Sequence, residues 1–300
     1  MKNPWVYTRL PRPEASQRLF CFPYAGGGAP IFHSWPNALP PTIEVCVILL
    51  PGRGPRLLEK PYRRMDSLVS AMAVALAPLL DKPFSLFGHS MGAWIGFELA
   101  RRLRKEHRVE PLQLFVSGSG APHLPQRDMP LHDLPDEEFF RALRRLNGTP
   151  KEVLDNEELM LLVTPTLRAD FAICENYSYV RRPLLSCPIT AFGGTQDRKL
   201  KPSDIEAWRE ETSGPFQTHT FPGDHFFIHT AVRPLLARLA RDLESALESA
   251  LSAETRLLIS PRRELNQSWV TRSVPADFST RYRRRPSAPG ASVNPRLLVV

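Results

Sequence analysis

The sequence predicts an α/β fold: a mostly parallel sheet with helices on both faces. Three observations predict it. Short, continuous apolar runs recur along the chain, helical segments separate them, and a glycine-flanked serine sits where one apolar run gives way to a helix. The first strand is expected at RLFCFP (18–23), which is apolar and ends at proline, and the second at IEVCVILLPG (43–52), closed by Pro-Gly. SLVSAMAVALAPLL (67–80) has helical length and many Ala and Leu. FSLFGHS (84–90) reads as a short buried strand. MGAWIGFELARRLRKEH (91–107) reads as a helix with apolar residues near every third or fourth position and a basic last turn. LQLFVSGS (112–119), PITAFGG (188–194) and FQTHTF (216–221) supply the later strands, and 226–251 a long amphipathic helix bent at Pro234. Right-handed crossovers bring successive strand ends to one sheet edge, where ligands bind in such folds. Residues 121–185 break the rhythm with two helical stretches, 134–146 and 157–180, and are expected to form a lid over that edge.

Composition bounds the function. The 300 residues are 42% hydrophobic and 23% charged, the balance of a globular protein with a sizeable core. No run approaches the ~18–20 apolar residues of a membrane span. The net charge of +8 suggests a polyanionic partner, but its distribution argues otherwise: residues 251–300 hold nine Arg against three acids, leaving only +2 for residues 1–250. No nucleic-acid partner is expected. Residues 1–251 are read as the folded domain. Residues 252–300, rich in Arg, Ser and Pro, are read as a disordered extension, with a basic arm (RYRRRP, 281–286) as the alternative. The N-terminal segment lacks the apolar core of a signal peptide. Cys21, Cys46, Cys174 and Cys187 show no metal-ligand spacing, so no metal site and a reducing cytoplasm are expected.

Gly88-His89-Ser90-Met91-Gly92 matches G-x-S-x-G in the strand–turn–helix context a nucleophile elbow requires. Small flanking residues let the serine backbone take a strained turn, and the helix N-terminus favours developing negative charge. A plainer alternative is that Ser90 caps the helix beside a structural glycine pair. A serine nucleophile needs a base, expected late in the chain and after an acid. His225 in FPGDHFFIH follows the strand 216–221 and fits; His229 and His89 are read as structural, the latter as packing around the elbow. The acid is read as Asp197 in FGGTQD, over Asp224, which adjoins His225, and Asp204, which suits a helix start. The oxyanion donors are read as the backbone N–H groups of Met91, just after the serine, and Ala25, in the Gly-rich turn Pro23–Gly28. No G-K-[ST] follows that turn, so it is not a phosphate loop.

These segments together resemble the type II (external, editing) thioesterases of non-ribosomal peptide and polyketide synthesis, members of the α/β-hydrolase superfamily. The matching stretches span about 15–245 and include LFCFPYAGGGAPIFHSWPNALP (19–40), LLPGRGPRLLE (49–59), FSLFGHSMGAWIGFELARRL (84–103), a helical segment containing LRAD (167–170), PITAFGGTQD (188–197) and FPGDHFFIH (221–229). Pro-Gly-Arg-Gly and Leu-Arg-Ala-Asp are not general hydrolase features. Carried over by position, the resemblance implies Ser90 as nucleophile, His225 as base, Asp197 as acid, and oxyanion N–H groups at Ala25 and Met91. It implies acyl or aminoacyl thioester substrates on the phosphopantetheine arm of an acyl or peptidyl carrier protein. It implies no metal or diffusible cofactor, and a mainly monomeric enzyme. Arg53 and Arg168 are read as surface or lid salt-bridge residues. Two other functions share some of these features: a small-molecule esterase with the same triad, and a non-catalytic binding protein whose working part is the basic tail.

Overall fold

The computed structural model describes residues 3–126, 129–146 and 148–259. Seven strands form one sheet: β1 (Val6–Tyr7), β2 (Gln17–Phe22), β3 (Ile43–Ile48), β4 (Phe84–His89), β5 (Leu114–Ser117), β6 (Ile189–Gly194) and β7 (Phe216–Phe221). The helices are α1 (Trp35–Ala38), α2 (Met65–Leu76), α3 (Met91–His107), α4 (Asp136–Leu146), α5 (Lys151–Leu154), α6 (Glu157–Glu175), α7 (Pro202–Glu206), α8 (Phe227–Thr230) and α9 (Val232–Ile259), with short 3-10 turns between. The strand order is β1-β3-β2-β4-β5-β6-β7. Every pairing is parallel except β1 with β3, where Val6 faces Ile48. Two residues carry too little pattern to announce this antiparallel edge strand in the sequence.

Strand alternation divides the core. Phe20, Phe22, Cys46 and Ile48 point to the side covered by α2 and α3. Leu19, Cys21, Phe87, Phe115 and Phe192 point to the side covered by α8, α9, Phe32 and Trp35. Both faces of the central strands are therefore dry, which is why those strands read as continuous apolar runs.

The chain moves outward from β2 to β3 and then crosses back to β4. The order thus reverses between β2 and β4, whose neighbouring carboxyl ends are paired Phe22 to Gly88. A crevice at such a reversal is where open parallel sheets place ligands.

Several element ends differ from expectation for local reasons. The second strand stops at Ile48 rather than 52, because Pro51 has no N–H to pair and Gly52 turns with φ of +86°. The helix expected over 67–80 runs Met65–Leu76 and tightens at Pro78 into the 3-10 turn Ala77–Leu79. The helix expected to bend at Pro234 breaks earlier, at Ala231; Pro234 lies in the first turn of α9, where its missing N–H has no intrahelical role. α9 then continues to Ile259, so the boundary drawn at 251 falls inside a helix. One compact unit is Met1–Thr255. The remainder of the Arg-rich stretch, 260–300, lies outside the described residues.

Helices α4, α5 and α6 occupy the segment between β5 and β6 and have a small core of their own, built on Phe139, Leu143, Met160 and Leu167. α4 is acidic in its first turn and basic in its last, which suits the helix dipole. Pro165 is accommodated inside α6, which ends at Glu175 rather than 180.

Phe87 is fully buried under Trp35, with ring centroids 4.8 Å apart, and under Phe32, at 6.2 Å. Phe87→Ala is expected to destabilise the protein by about 3–5 kcal/mol through lost burial and an unfilled cavity. Urea unfolding followed by tryptophan fluorescence measures it.

Candidate active site

β4 ends at His89, and Ser90 then adopts φ 53° and ψ −117°, one of two positive-φ non-glycine residues among those described. Its N–H donates to Ser117 C=O at 2.7 Å, and Ala93 N–H donates back to Ser90 C=O at 2.9 Å, fixing the turn into α3. The flanking glycines are there for space. A Cβ on Gly88 would lie 2.0 Å from Gly92 C=O, and one on Gly92 would lie 2.2 Å from Phe22 C=O. Only a bare backbone lets the helix start this close to two strands.

His225 follows β7 and reaches Ser90 from the far side of β5 and β6. Its Nε2 is 3.1 Å from Ser90 Oγ, and its Nδ1 is 2.8 Å from Asp197 Oδ2. An ionised carboxylate can only accept, so Nδ1 carries the proton. Nε2 then offers its lone pair to the serine O–H. Asp197 sits just past β6 with its side chain 1% exposed. Burial pushes its carboxyl up, but the hydrogen bond and charge of His225, with the N–H groups of Lys199 and Leu200, outweigh that and hold it below the ordinary value. The exits of β6 and β7 are stitched by Thr195 N–H to Phe221 C=O and Gln196 N–H to Gly223 C=O, both 2.9 Å.

His89 has a definite position. Its Nε2 is 2.9 Å from His225 C=O and its Nδ1 2.9 Å from Ser117 Oγ. The carbonyl can only accept, so Nε2 is the protonated nitrogen and Nδ1 accepts from the hydroxyl. Burial first, and the neighbouring His225 second, drive its pKa well below the usual imidazole value. It is a neutral brace for the His225 backbone.

Met91 is the first residue of α3, so its N–H has no intrahelical acceptor. Ala25, in the turn after β2, lines the same space as Ser90 and Met91. Two cavities meet at Ser90. One, of about 270 Å³, is walled by Trp94, Leu124, Met129, Leu131 and Phe171. The other, of about 510 Å³, runs between Tyr24, Phe226 and the α4 end, with Arg145, Arg198 and Lys199 in its wall. Ala25, Ser90, Phe171 and His225 line both.

Ser90, His225 and Asp197 are thus brought together, with Ala25 and Met91 beside them. The alternatives are engaged elsewhere. Asp224 Oδ1 accepts from Phe226 N–H at 2.8 Å, and buried Asp204 accepts from Lys201 N–H at 3.0 Å at the start of α7. His229 lies 2.9 Å from Tyr24 Oη. His123 and His132 contact Glu211 and Glu175. All four cysteines are free thiols; burial pushes Cys46 and Cys187 up to about 12, so neither is a thiolate nucleophile.

Arg168 reaches Asp136 and His132 C=O as an ion-pairing residue among the inserted helices. Arg53 is not a surface residue: its side chain is 12% exposed and forms a two-pronged pair with fully buried Asp170 of α6. Residue types alone did not mark Asp170 or the bracing contacts of His89. The Leu-Arg-Ala-Asp and Pro-Gly-Arg-Gly segments were the visible signal for the first. Among the described residues no cluster of three or more His, Cys, Asp or Glu could hold a metal ion, and no helix is long and apolar enough to cross a membrane.

A family model described as a thioesterase domain matches residues 17–247. The linear gramicidin dehydrogenase LgrE of Brevibacillus parabrevis is 46% identical, over 81% of this chain and 94% of that protein. The gramicidin S biosynthesis protein GrsT of Aneurinibacillus migulanus is 44% identical, over 82% and 96%. Among solved structures, the type II thioesterase BorB of the borrelidin biosynthetic cluster superposes with a TM-score of 0.73 at 36% identity, covering 81% of this chain and 97% of that one.

Gly92→Ala is expected to remove activity and most soluble folded protein, since the colliding group is backbone and cannot rotate away. Circular dichroism and yield from parallel expression check it. Acid should also weaken the fold. His89 has a depressed folded-state pKa, so the unfolded chain binds the proton more readily, and stability is present above the unfolded pKa of about 6.5 and declines as pH falls below it. His219 and His229, also depressed by burial, act in the same direction. Melting temperature should fall from pH 7 to pH 5.5, and less steeply in His89→Gln, which starts from a lower value at pH 7.

Proposed function

Since the chain belongs to the thioesterase family, we propose that it hydrolyses acyl or aminoacyl thioesters held on the phosphopantetheine arm of a carrier protein. It does so as a type II, editing enzyme of non-ribosomal peptide or polyketide synthesis, clearing groups that stall the synthase. One observation carries the chemistry: an unbroken line of hydrogen bonds from buried Asp197 through His225 to Ser90 Oγ, ending where the two cavities meet.

In this mechanism His225 Nε2 takes the Ser90 proton as Oγ attacks the thioester carbonyl. Asp197 holds the imidazole in the required tautomer and stabilises the imidazolium. The N–H groups of Ala25 and Met91 receive the charge that grows on the carbonyl oxygen. The tetrahedral species collapses as the C–S bond breaks, and the pantetheine sulfur takes the proton from His225 and leaves as a thiol, a good leaving group that asks little of the acid and returns His225 to its neutral form. Water, deprotonated by His225, then attacks the acyl-Ser90 ester, and the carboxylate leaves as Ser90 recovers its proton. All these steps use side chains and backbone alone, and we propose that no metal or diffusible cofactor takes part.

Two cavities that meet at the nucleophile suit a substrate extended on both sides of its reacting carbonyl, the acyl group in one and the arm in the other. That favours a carrier-bound thioester over a small free ester. Helices α4–α6 are proposed as the lid over both. The word dehydrogenase in the name of the Brevibacillus relative finds no counterpart here. The glycine turn after β2, where a dinucleotide pyrophosphate would lie in a nucleotide-binding sheet, already has its Gly26 N–H bonded to Asp170, so that amide is not free to bind a phosphate. The proposed setting is the cytoplasm, beside the synthase, as a monomer.

Release of acetate from acetyl-loaded carrier protein, run beside p-nitrophenyl acetate, tests the reading. Turnover should favour the carrier thioester. Ser90→Ala should lower it by ~10⁴–10⁶-fold. Preference for the free ester would move the assignment to a small-molecule esterase, and unchanged turnover in Ser90→Ala would end the triad.

A further inference from the structure

The turn that carries Ala25 is glycine-rich, and beyond Ala25 the segment Gly26–Gly28 has no side chains to anchor it. Its internal tie is Gly27 N–H to Tyr24 C=O at 2.9 Å. Its start is held by Tyr24 against His229, and its end by Ile31 N–H to Gly28 C=O at 3.3 Å, whereas the Gly26–Gly27 peptide groups next to Ala25 are held by two distant segments. Asp170 Oδ2, on α6, accepts from Gly26 N–H at 2.7 Å. The same carboxylate accepts from Arg53 at 2.7 and 2.6 Å, and Arg53 in turn donates to Gly27 C=O at 3.0 Å. Successive polar groups of the turn are thus held from outside, one N–H by a carboxylate and one C=O by the guanidinium bound to that carboxylate. α6 presses on the turn as well. Gly26 has φ of +77°, and a Cβ there would lie 2.5 Å from Leu167. One helical turn from Asp170, Thr166 Oγ donates to Gly52 C=O at 2.5 Å, next to Arg53.

We infer that Asp170 and Arg53 are positioning residues that set the Ala25 N–H relative to Ser90, so that the oxyanion donors are in register only while α6 is seated. The inference rests on the proposed role of Ala25 as a donor. Ala25 is bonded directly to Gly26, and an error of ~1 Å in placing a reacting group can lower a rate by ~10². The pair is charged on both sides, with Asp170 buried, and is geometrically matched, so it defines position more sharply than packing alone. Neither group touches the substrate carbonyl; both act through the backbone.

The test separates register from folding. Asp170→Asn keeps size but forces one contact to present an N–H to a donor. Arg53→Lys keeps charge but loses the fork. In each, kcat on acetyl-carrier protein should fall by ~10–100-fold, less than the ~10²–10³ of deleting a donor outright. KM should move by less than about threefold. Affinity for a methyl trifluoromethyl ketone, whose Ser90 adduct places an oxyanion at the donors, should fall in parallel with kcat. Arg168→Ala, which breaks an ion pair within the inserted helices without touching the turn, should keep kcat within about twofold of the parent. If Asp170→Asn does not fold, Arg53→Lys is decided on the same two readouts. Unchanged kcat and ketone affinity in a folded variant, or a loss confined to KM, overturns the inference. Because Ser90→Ala is assayed in parallel, that result with Ser90 still required removes only the positioning role, whereas turnover without Ser90 removes the proposed mechanism itself.

Discussion

The first turn of α3 lies almost in contact with the backbone of β2 and β4, and the rest of the site follows from that approach. It forces Ser90 out of ordinary φ/ψ space, a strain of order 1–3 kcal/mol for a residue with a side chain. The strain persists because Ser117 C=O takes the Ser90 N–H and because no Cβ stands between helix and strands. One consequence is that Ser90 Oγ rises above the sheet rather than into it. Another is that the N–H of Met91 is left at the mouth of the helix dipole, beside the turn that leaves β2. The order reversal between β2 and β4 sets the Gly-rich turn beside the serine, since Phe22 and Gly88 are register partners.

Electrostatics around the serine are arranged by burial as much as by charge. Two imidazoles stand with ring centroids 5.5 Å apart. Were both protonated, they would repel across a dry site. His89 is enclosed and uncharged, and spends both nitrogens on backbone and hydroxyl partners. His225 instead turns its Nε2 to Ser90 Oγ and its Nδ1 to Asp197. A neutral brace and an anionic brace thus act on one residue, the first holding its backbone and the second its ring.

The inserted helices are a separate small structure resting on the sheet edge. Their own core is modest, and α6 joins the hydrolase body both by packing, with Ile173 buried in the main core, and by polar contacts of Arg53 with Asp170 and Thr166 with Gly52. The same helices divide the space above Ser90, since Phe171 of α6 borders both cavities.

The sequence by itself determined the alternating α/β order and pointed to the loops that the fold brings together at Ser90, His225 and Asp197, with Ala25 and Met91, the proposed donors, beside them. These depend on local patterns: apolar runs bounded by turn residues, glycines around one serine, and the loops that follow particular strands. Element ends were less legible, because the missing N–H of Pro51, Pro78 or Pro234 ends, tightens or is tolerated in an element according to where the folded chain puts it. The short edge strand β1 had no pattern at all. Only the tertiary structure decided that His89 holds the His225 carbonyl, that Arg53 forks onto Asp170, and that Asp170 of a remote helix grips the turn bearing Ala25. Each of these is a contact between segments more than a hundred residues apart. Such a contact leaves no periodicity or local propensity in either segment; it exists because the sheet brings distant loops to one edge, where a buried charge or amide must find whatever partner lies within reach.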